Sequence, residues 1–262
     1  MKLELENQKI LITGSQSGIG KGIAESFLKE NASVILTGRK KKILSQTHSE
    51  LKKKYPTSEV FQFLGDLNNN EKLDELLKFI KFSTKSIDHL ICNIGNGVSE
   101  NTFNPNLDEF KRMLEINLLN AVRMVDLIYP FLRESAKLEK SFPSVIFIGS
   151  ICGVESIGCP VAYAASKSAL VSYAKNISLI LGRKGIRVNI VSPGNIYFEG
   201  STWEKKKNDN PDFVKKLIKE KVPLQCFGDI EDVSNSVVFL ASKKSKFVNG
   251  ANWIVDGGQT QS

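Results

Sequence analysis

An alternation of two kinds of segment restricts most strongly what this chain can fold into. Short apolar runs rich in β-branched residues lie at 9–13, 33–37, 60–64, 87–92, 144–149, 186–191 and 252–255. Longer stretches with helical periodicity separate them, among them 18–29, 71–82, 108–133, 163–183 and 229–242. The short runs are continuously apolar. A strand covered on one face needs apolar side chains only at every second position, whereas a parallel strand covered on both faces needs them throughout. Repeated strand–helix–strand order implies right-handed crossovers and an open parallel sheet with helices on both faces. A length of 262 residues is enough to bury such a core without disulfides or metals. No linker or repeat interrupts the pattern, so one doubly wound α/β domain with a seven-stranded parallel sheet is expected over residues 1–262.

One segment departs from the alternation. Residues 195–228 hold Tyr197, Phe198, Trp203, Phe213, Phe227, Pro211, Pro223 and the run Lys205, Lys206, Lys207. It follows the carboxyl end of the sixth run, where open α/β sheets bind ligands, and loops of this length are usually functional or disordered. A lid over a substrate site is expected; the alternative is a surface helical hairpin without ligand contact.

Composition excludes several classes. The formal charge of +8 invites a nucleic-acid reading. Yet only six of the 36 cations are arginine, the residue that base and phosphate readers favour, and the lysines fall in short runs among polar neighbours. A solvated lysine surface is the better reading, with no nucleic acid as partner. No apolar run reaches the length of a membrane span. Residues Lys2 to Glu6 alternate charge with leucine rather than forming a signal peptide, so a cytoplasmic protein is expected. Cys92, Cys152, Cys159 and Cys226 form no close CxxC pair, which argues against metal ligation and for free thiols in a reducing compartment.

The first apolar run leads directly into Thr13, Gly14, Ser15, Gln16, Ser17, Gly18, Ile19 and Gly20, and then into an amphipathic helix. In this strand–turn–helix setting Gly14 permits a sharp turn, Gly18 lets backbone approach a pyrophosphate, and Gly20 lets helix and strand pack closely. The helix N-terminus then offers N–H groups and a positive dipole end to phosphate. The GxxxGxG spacing of TGSQSGIG resembles the short-chain dehydrogenase/reductase family, in its compact single-domain form, and the resemblance spans essentially the whole chain. It implies a Rossmann-type fold and an NAD(P)-dependent oxidoreductase.

The family's YxxxK motif is matched by Tyr163 and Lys167, an i,i+4 pair that shares one helix face. Tyrosine near pKa 10 is a poor proton donor–acceptor at neutral pH, and a nearby cation should draw that value down. Ser150 ends the fifth run thirteen residues before Tyr163; by resemblance its hydroxyl polarises the substrate oxygen. Asn117, in the sequence Glu115-Ile116-Asn117, matches the helical asparagine that holds a relay water to the lysine. The resemblance thus implies a catalytic tetrad of Asn117, Ser150, Tyr163 and Lys167.

The resemblance also implies a set of cofactor contacts. Gly14, Ser15, Ser17, Gly18, Ile19 and Gly20 would meet the phosphates; Asp66 and Leu67 the adenine; Asn93 and Gly95 the ribose side; Pro193, Gly194 and Ile196 the nicotinamide; Tyr163 and Lys167 its ribose. Two departures stand out: Ile94 replaces the alanine of NNAG, and Phe198 occupies a position where the family often has a cofactor-binding threonine. After the second run, Gly38 stands where NAD-specific relatives carry an acid, and Arg39 follows, suited to pair with a 2′-phosphate. NADP(H) is therefore expected over NAD(H). Beta-ketoacyl carrier-protein reductases, sugar reductases and steroid-like alcohol dehydrogenases share these motifs. The reaction expected is carbonyl–secondary alcohol interconversion on a small molecule. The alternatives are an NAD-linked alcohol or sugar dehydrogenase and a non-catalytic dinucleotide sensor. The apolar surplus at Val161, Leu170, Val171, Tyr173, Leu179 and Ile180 points to a homo-oligomer, a dimer or a homotetramer as in many family members.

Overall fold

The computed structural model describes residues 2–84, 86–138 and 141–260. Among these residues seven parallel strands form one sheet: β1 (Lys9–Ile12), β2 (Ser33–Gly38), β3 (Val60–Leu64), β4 (His89–Cys92), β5 (Ser144–Ile148), β6 (Arg187–Pro193) and β7 (Asn252–Val255). Their order is β3-β2-β1-β4-β5-β6-β7. All seven expected strands are present: β3 and β7 keep the expected bounds, and the other five have ends moved by one or two residues. The central strands are buried on both sides, which is why their sequences carry no polar alternation.

Successive strand residues face opposite layers. Ile10 and Ile12 join the core formed with α1 (Gly18–Lys29), α2 (Lys41–Lys54) and α9 (Ile230–Ala241). Leu11 faces the other core, formed with α3 (Asn70–Ser83), α5 (Asn120–Ser135) and α6 (Val161–Gly182). Several helix starts follow from local chemistry. Asn69 accepts from the Glu71 and Lys72 N–H groups at the start of α3, and Asp229 and Asp232 form a reciprocal capping box at α9.

Three expectations need correction. The single helix expected over 108–133 is instead α4 (Leu107–Leu114), a π-turn at Glu115–Leu119, and α5. Cys152 and Cys159 are joined by a disulfide, with Cα atoms 5.9 Å apart; the loop between them folds back, a closure that a spacing of seven does not announce. Cys92 and Cys226 remain free. Of the surplus apolar residues, Leu170 is in the core and Val171 and Tyr173 pack against it, while Val161, Leu179 and Ile180 are 42%, 69% and 63% exposed.

The 195–228 segment folds into α7 (Thr202–Asp209) and α8 (Pro211–Lys221). Ser201 caps α7 through the Glu204 N–H, and Asn210 with Pro211 starts α8. Val214, Ile218 and Val222 pack with Trp203, Leu217 and Phe227 in a small apolar cluster of their own. Among the described residues, no helix is long and apolar enough to cross a membrane.

Candidate active site

Strand order reverses between β1 and β4, and a crevice opens at their carboxyl ends. Thr13 spans that point: its hydroxyl accepts the Asn93 and Ile94 N–H groups at 2.9 and 3.1 Å. The Asn93 side chain donates to the Thr13 and Gly14 carbonyls at 3.0 and 3.1 Å, tying the β4 end to the glycine-rich turn. Gly14 has φ +64°, a conformation that glycine adopts readily. A Cβ on Gly20 would lie 2.6 Å from the Gly14 carbonyl oxygen, so helix and turn could not pack this closely with any larger residue. Ser17, the N-cap of α1, makes no side-chain capping bond and leaves the first-turn N–H groups facing the crevice.

Not every residue of the turn points outward. Ser15 is fully buried; its hydroxyl donates to the Ile12 carbonyl at 2.8 Å and accepts the Thr37 N–H at 2.9 Å. It staples the turn to β2 and lines neither cleft, a correction to the expectation that it meets the phosphates. Its neighbour Gln16, which sequence reasoning passed over, does line the smaller cleft, of about 270 Å³, together with Arg39, Asp66 and Leu67. The Gln16 amide oxygen accepts the Lys40 N–H at 3.0 Å. A Cβ on Gly38 would overlap that oxygen, so Gln16 fills the space an acidic side chain would need. Arg39 is 70% exposed and lies 3.9 Å from Asp66, a loose pair that leaves the guanidinium available.

The larger cleft, of about 1050 Å³, is lined by Gly18, Ile19, Gly20, Ser150, Tyr163, Lys167, Pro193, Gly194 and Ile196. Residues of α7 and α8, including Trp203, Lys206 and Leu217, line the same cleft, so these helices are not a hairpin remote from the site. Lys206 lies over the Trp203 ring, 4.4 Å from its centroid. Phe198 also lines the cleft, and its ring covers the phosphate turn: a Cβ on Gly18 would lie 3.0 Å from the ring edge.

The four tetrad residues converge at this edge. Ser150 follows β5, its hydroxyl accepts the Cys152 N–H at 3.2 Å, and it lies close enough to Tyr163 to favour the ionised phenol. The Tyr163 ring stands against Gly97. Lys167 is buried one turn further along α6, and its ammonium donates to the Ile148 carbonyl at 2.8 Å. Asn117 is buried in the π-turn; its side chain accepts the Asn96 N–H at 2.9 Å and donates to the Asn96 carbonyl at 3.2 Å. Gly95 joins the two halves: a Cβ there would lie 3.0 Å from Asn117 Oδ1 and 3.1 Å from Lys167 Nζ. Asn117 thus stands near the lysine at Gly95 and does not itself line the cleft. π-turns inside helices are frequent at functional sites, because the extra residue redirects side chains.

Burial sets the electrostatics. Loss of solvent lowers the Lys167 pKa from 10.5 to about 8. Burial also raises Tyr163 above its ordinary value of 10.0, with the hydrogen bond from Ser150 pulling the other way. The expected lowering of the phenol by Lys167 is therefore reversed: desolvation dominates, and the ammonium is committed to the Ile148 carbonyl. Among the described residues, no group of three or more His, Cys, Asp or Glu could hold a metal ion.

A doubly wound parallel sheet with a glycine-rich first turn and a Ser–Tyr–Lys group at its carboxyl edge defines a dinucleotide-binding oxidoreductase. A family model described as enoyl-(acyl carrier protein) reductase matches residues 14–260. An uncharacterized oxidoreductase of Bacillus subtilis, YvrD, is 32% identical over the full length of both chains. The 3-oxoacyl-[acyl-carrier-protein] reductase FabG of Buchnera aphidicola is 31% identical, with 98% of each chain covered. Among solved structures, L-sorbose reductase from Gluconobacter frateurii, complexed with NADPH and L-sorbose, aligns over 100% of both chains at TM-score 0.91 and 27% identity. The chain belongs to the short-chain dehydrogenase/reductase family and is an oxidoreductase of that family.

Proposed function

We propose that this oxidoreductase interconverts a small carbonyl compound and its secondary alcohol with NADP(H), using Tyr163 as the acid–base group. The observation that carries the reading is the grouping, at the carboxyl edge of the sheet, of Ser150 with Tyr163 and of Lys167 and Asn117 beside Gly95. The crevice suits a dinucleotide. The uncapped first turn of α1 and the backbone of Gly14, Ser17, Gly18, Ile19 and Gly20 would take the phosphates, with Asp66, Leu67, Asn93 and Gly95 beside the adenosine half and Pro193, Gly194 and Ile196 beside the nicotinamide half. Gly38 with Arg39 favours a 2′-phosphate, and NADPH in the matching L-sorbose reductase supports the same choice.

The bound dinucleotide would supply or accept the hydride. Ser150 Oγ polarises the substrate oxygen, and Tyr163 Oη gives or takes its proton. The raised phenol pKa keeps Tyr163 protonated at neutral pH, the form needed to reduce a carbonyl. Lys167 Nζ, 2.8 Å from the Ile148 carbonyl, holds the ribose side and passes protons towards Asn117. The chain works as one catalytic domain, with α7 and α8 closing over the substrate. The exposed Val161, Leu179 and Ile180 on α6 form part of a homotetramer interface.

The test pairs Tyr163→Phe with a panel of ketones and NADPH titration. Turnover should fall by about 10²–10⁴ while NADPH affinity stays near wild type. Wild-type turnover in the variant would overturn the assignment.

A further inference from the structure

The loop between Ser150 and Tyr163 carries the Cys152–Cys159 disulfide. Both cysteines line the large cleft and neither is fully buried, so a small thiol entering the cleft reaches the bond. The two ends of the bridged loop are held very differently. On the Cys152 side, the short 3₁₀ turn Ile151–Gly153 is fixed to α6. A Cβ on Gly153 would lie 2.6 Å from the Lys167 carbonyl carbon, and the Ser168 hydroxyl donates to the Gly153 carbonyl at 2.9 Å. The Cys152 N–H is also the donor to Ser150 Oγ.

On the other side, residues 156–159 make no backbone–backbone hydrogen bond among the described residues. Gly158, at φ +82°, has nothing within 4 Å of where a Cβ would stand. The disulfide is therefore the tie that holds Ser156, Ile157 and Gly158, all part of the cleft wall, to the Ser150 end of the loop.

We infer that Cys152 and Cys159 form a redox-modifiable site whose thiol–disulfide state sets the substrate-side wall of the cleft. Its effect on turnover rests on the function proposed above; its effect on the loop does not. The partner is a dithiol. One of its thiolates attacks one cysteine sulfur, the S–S bond breaks and a mixed disulfide forms. The second thiol then displaces the remaining cysteine. The dithiol is oxidised to a disulfide while Cys152 and Cys159 are reduced to thiols, gaining two electrons and two protons between them. Reduction frees the segment from 156 to 159 and leaves the Ile151–Gly153 turn, the Val154 and Glu155 N–H groups on the Ile151 carbonyl, and the Ser150 hydrogen bond in place.

The probe is dithiothreitol on the full-length protein. After incubation with oxidised glutathione, alkylation of the denatured protein should label two thiols, Cys92 and Cys226, and after dithiothreitol it should label four. Cleavage by proteinase K within 156–159 should be about tenfold faster in the reduced protein, with α6 around Tyr163 no more susceptible than before. Cys159→Ser and the double variant with Cys152→Ser should show the reduced pattern and ignore dithiothreitol; should either fail to fold, the wild-type comparison alone decides. In turnover of a ketone from the panel, reduction should raise KM about threefold or more and leave kcat within about twofold. Four labelled thiols after oxidised glutathione, or the same cleavage rate within 156–159 in both states, would overturn the proposal. If cleavage responds as expected but no ketone is turned over, the function proposed above fails and the redox site stands.

Discussion

Replacing Lys167 by methionine should remove a pH dependence from the stability of the fold. Burial lowers the Lys167 pKa from 10.5 to about 8. At about 1.4 kcal/mol per pH unit, that difference corresponds to about 3 kcal/mol. The sign follows from proton counting. Between the two values the unfolded chain keeps the lysine proton and the folded chain has released it. Unfolding free energy therefore rises with pH across that window. Below about pH 8 the full cost of burying the ammonium is present, and above about pH 10.5 it is gone. Methionine has a similar stem and no charge to bury. It leaves the Ile148 carbonyl without its donor at every pH, a constant loss that does not affect the slope.

Urea unfolding of both proteins, followed by tryptophan fluorescence at several values between about pH 7 and about pH 10.5, gives the comparison. Other alkaline titrations are common to both and cancel. Wild type minus Lys167→Met should rise by about 3 kcal/mol over the window. A difference that stays flat would mean the amine is solvated in the folded protein, and the account of a desolvated lysine behind Gly95 would be wrong. The positive result would give the price of the site: a charged amine kept where burial disfavours its charge.

Three further outcomes follow from single contacts. Arg39→Ala should weaken NADPH binding by about 1.5–3 kcal/mol and leave NADH nearly unchanged, as read by titration of both cofactors; an equal loss for the two would remove Arg39 from cofactor choice. Phe198→Ala, which uncovers Gly18, should speed NADPH release about tenfold or more in stopped-flow displacement; an unchanged release rate would mean the ring does not shield the phosphate turn. Leu179→Lys with Ile180→Lys, on an exposed face of α6, should lower the mass seen by light scattering while leaving the circular dichroism spectrum intact; an unchanged mass would place the interface elsewhere.

What could be read in the sequence was whatever one short segment dictates by itself. Continuous apolar runs such as Val145 to Ile148 can be satisfied only between two layers, so all seven strands were visible. TGSQSGIG and the Tyr163–Lys167 pair carry their chemistry within a few residues. The features that were not legible depend on distant parts of the chain. The π-turn at Glu115–Leu119 is stabilised by what Asn117 reaches across the fold, the backbone of Asn96, and helical periodicity over 108–133 gives no sign of it. Ser15 looked like one more polar residue of a phosphate turn, but β2 claims its hydroxyl through the Thr37 N–H. Lys167 is the same lesson in electrostatic form. Its spacing from Tyr163 is written in four residues, yet the fold surrounding both side chains sets their proton affinities, and burial moves the phenol up and the amine down together. A lysine brought down to about 8 loses and regains its proton near the operating pH, while the tyrosine stays protonated and ready to donate. The site therefore owes its reactivity less to the pairing of the two residues than to the dry wall behind them.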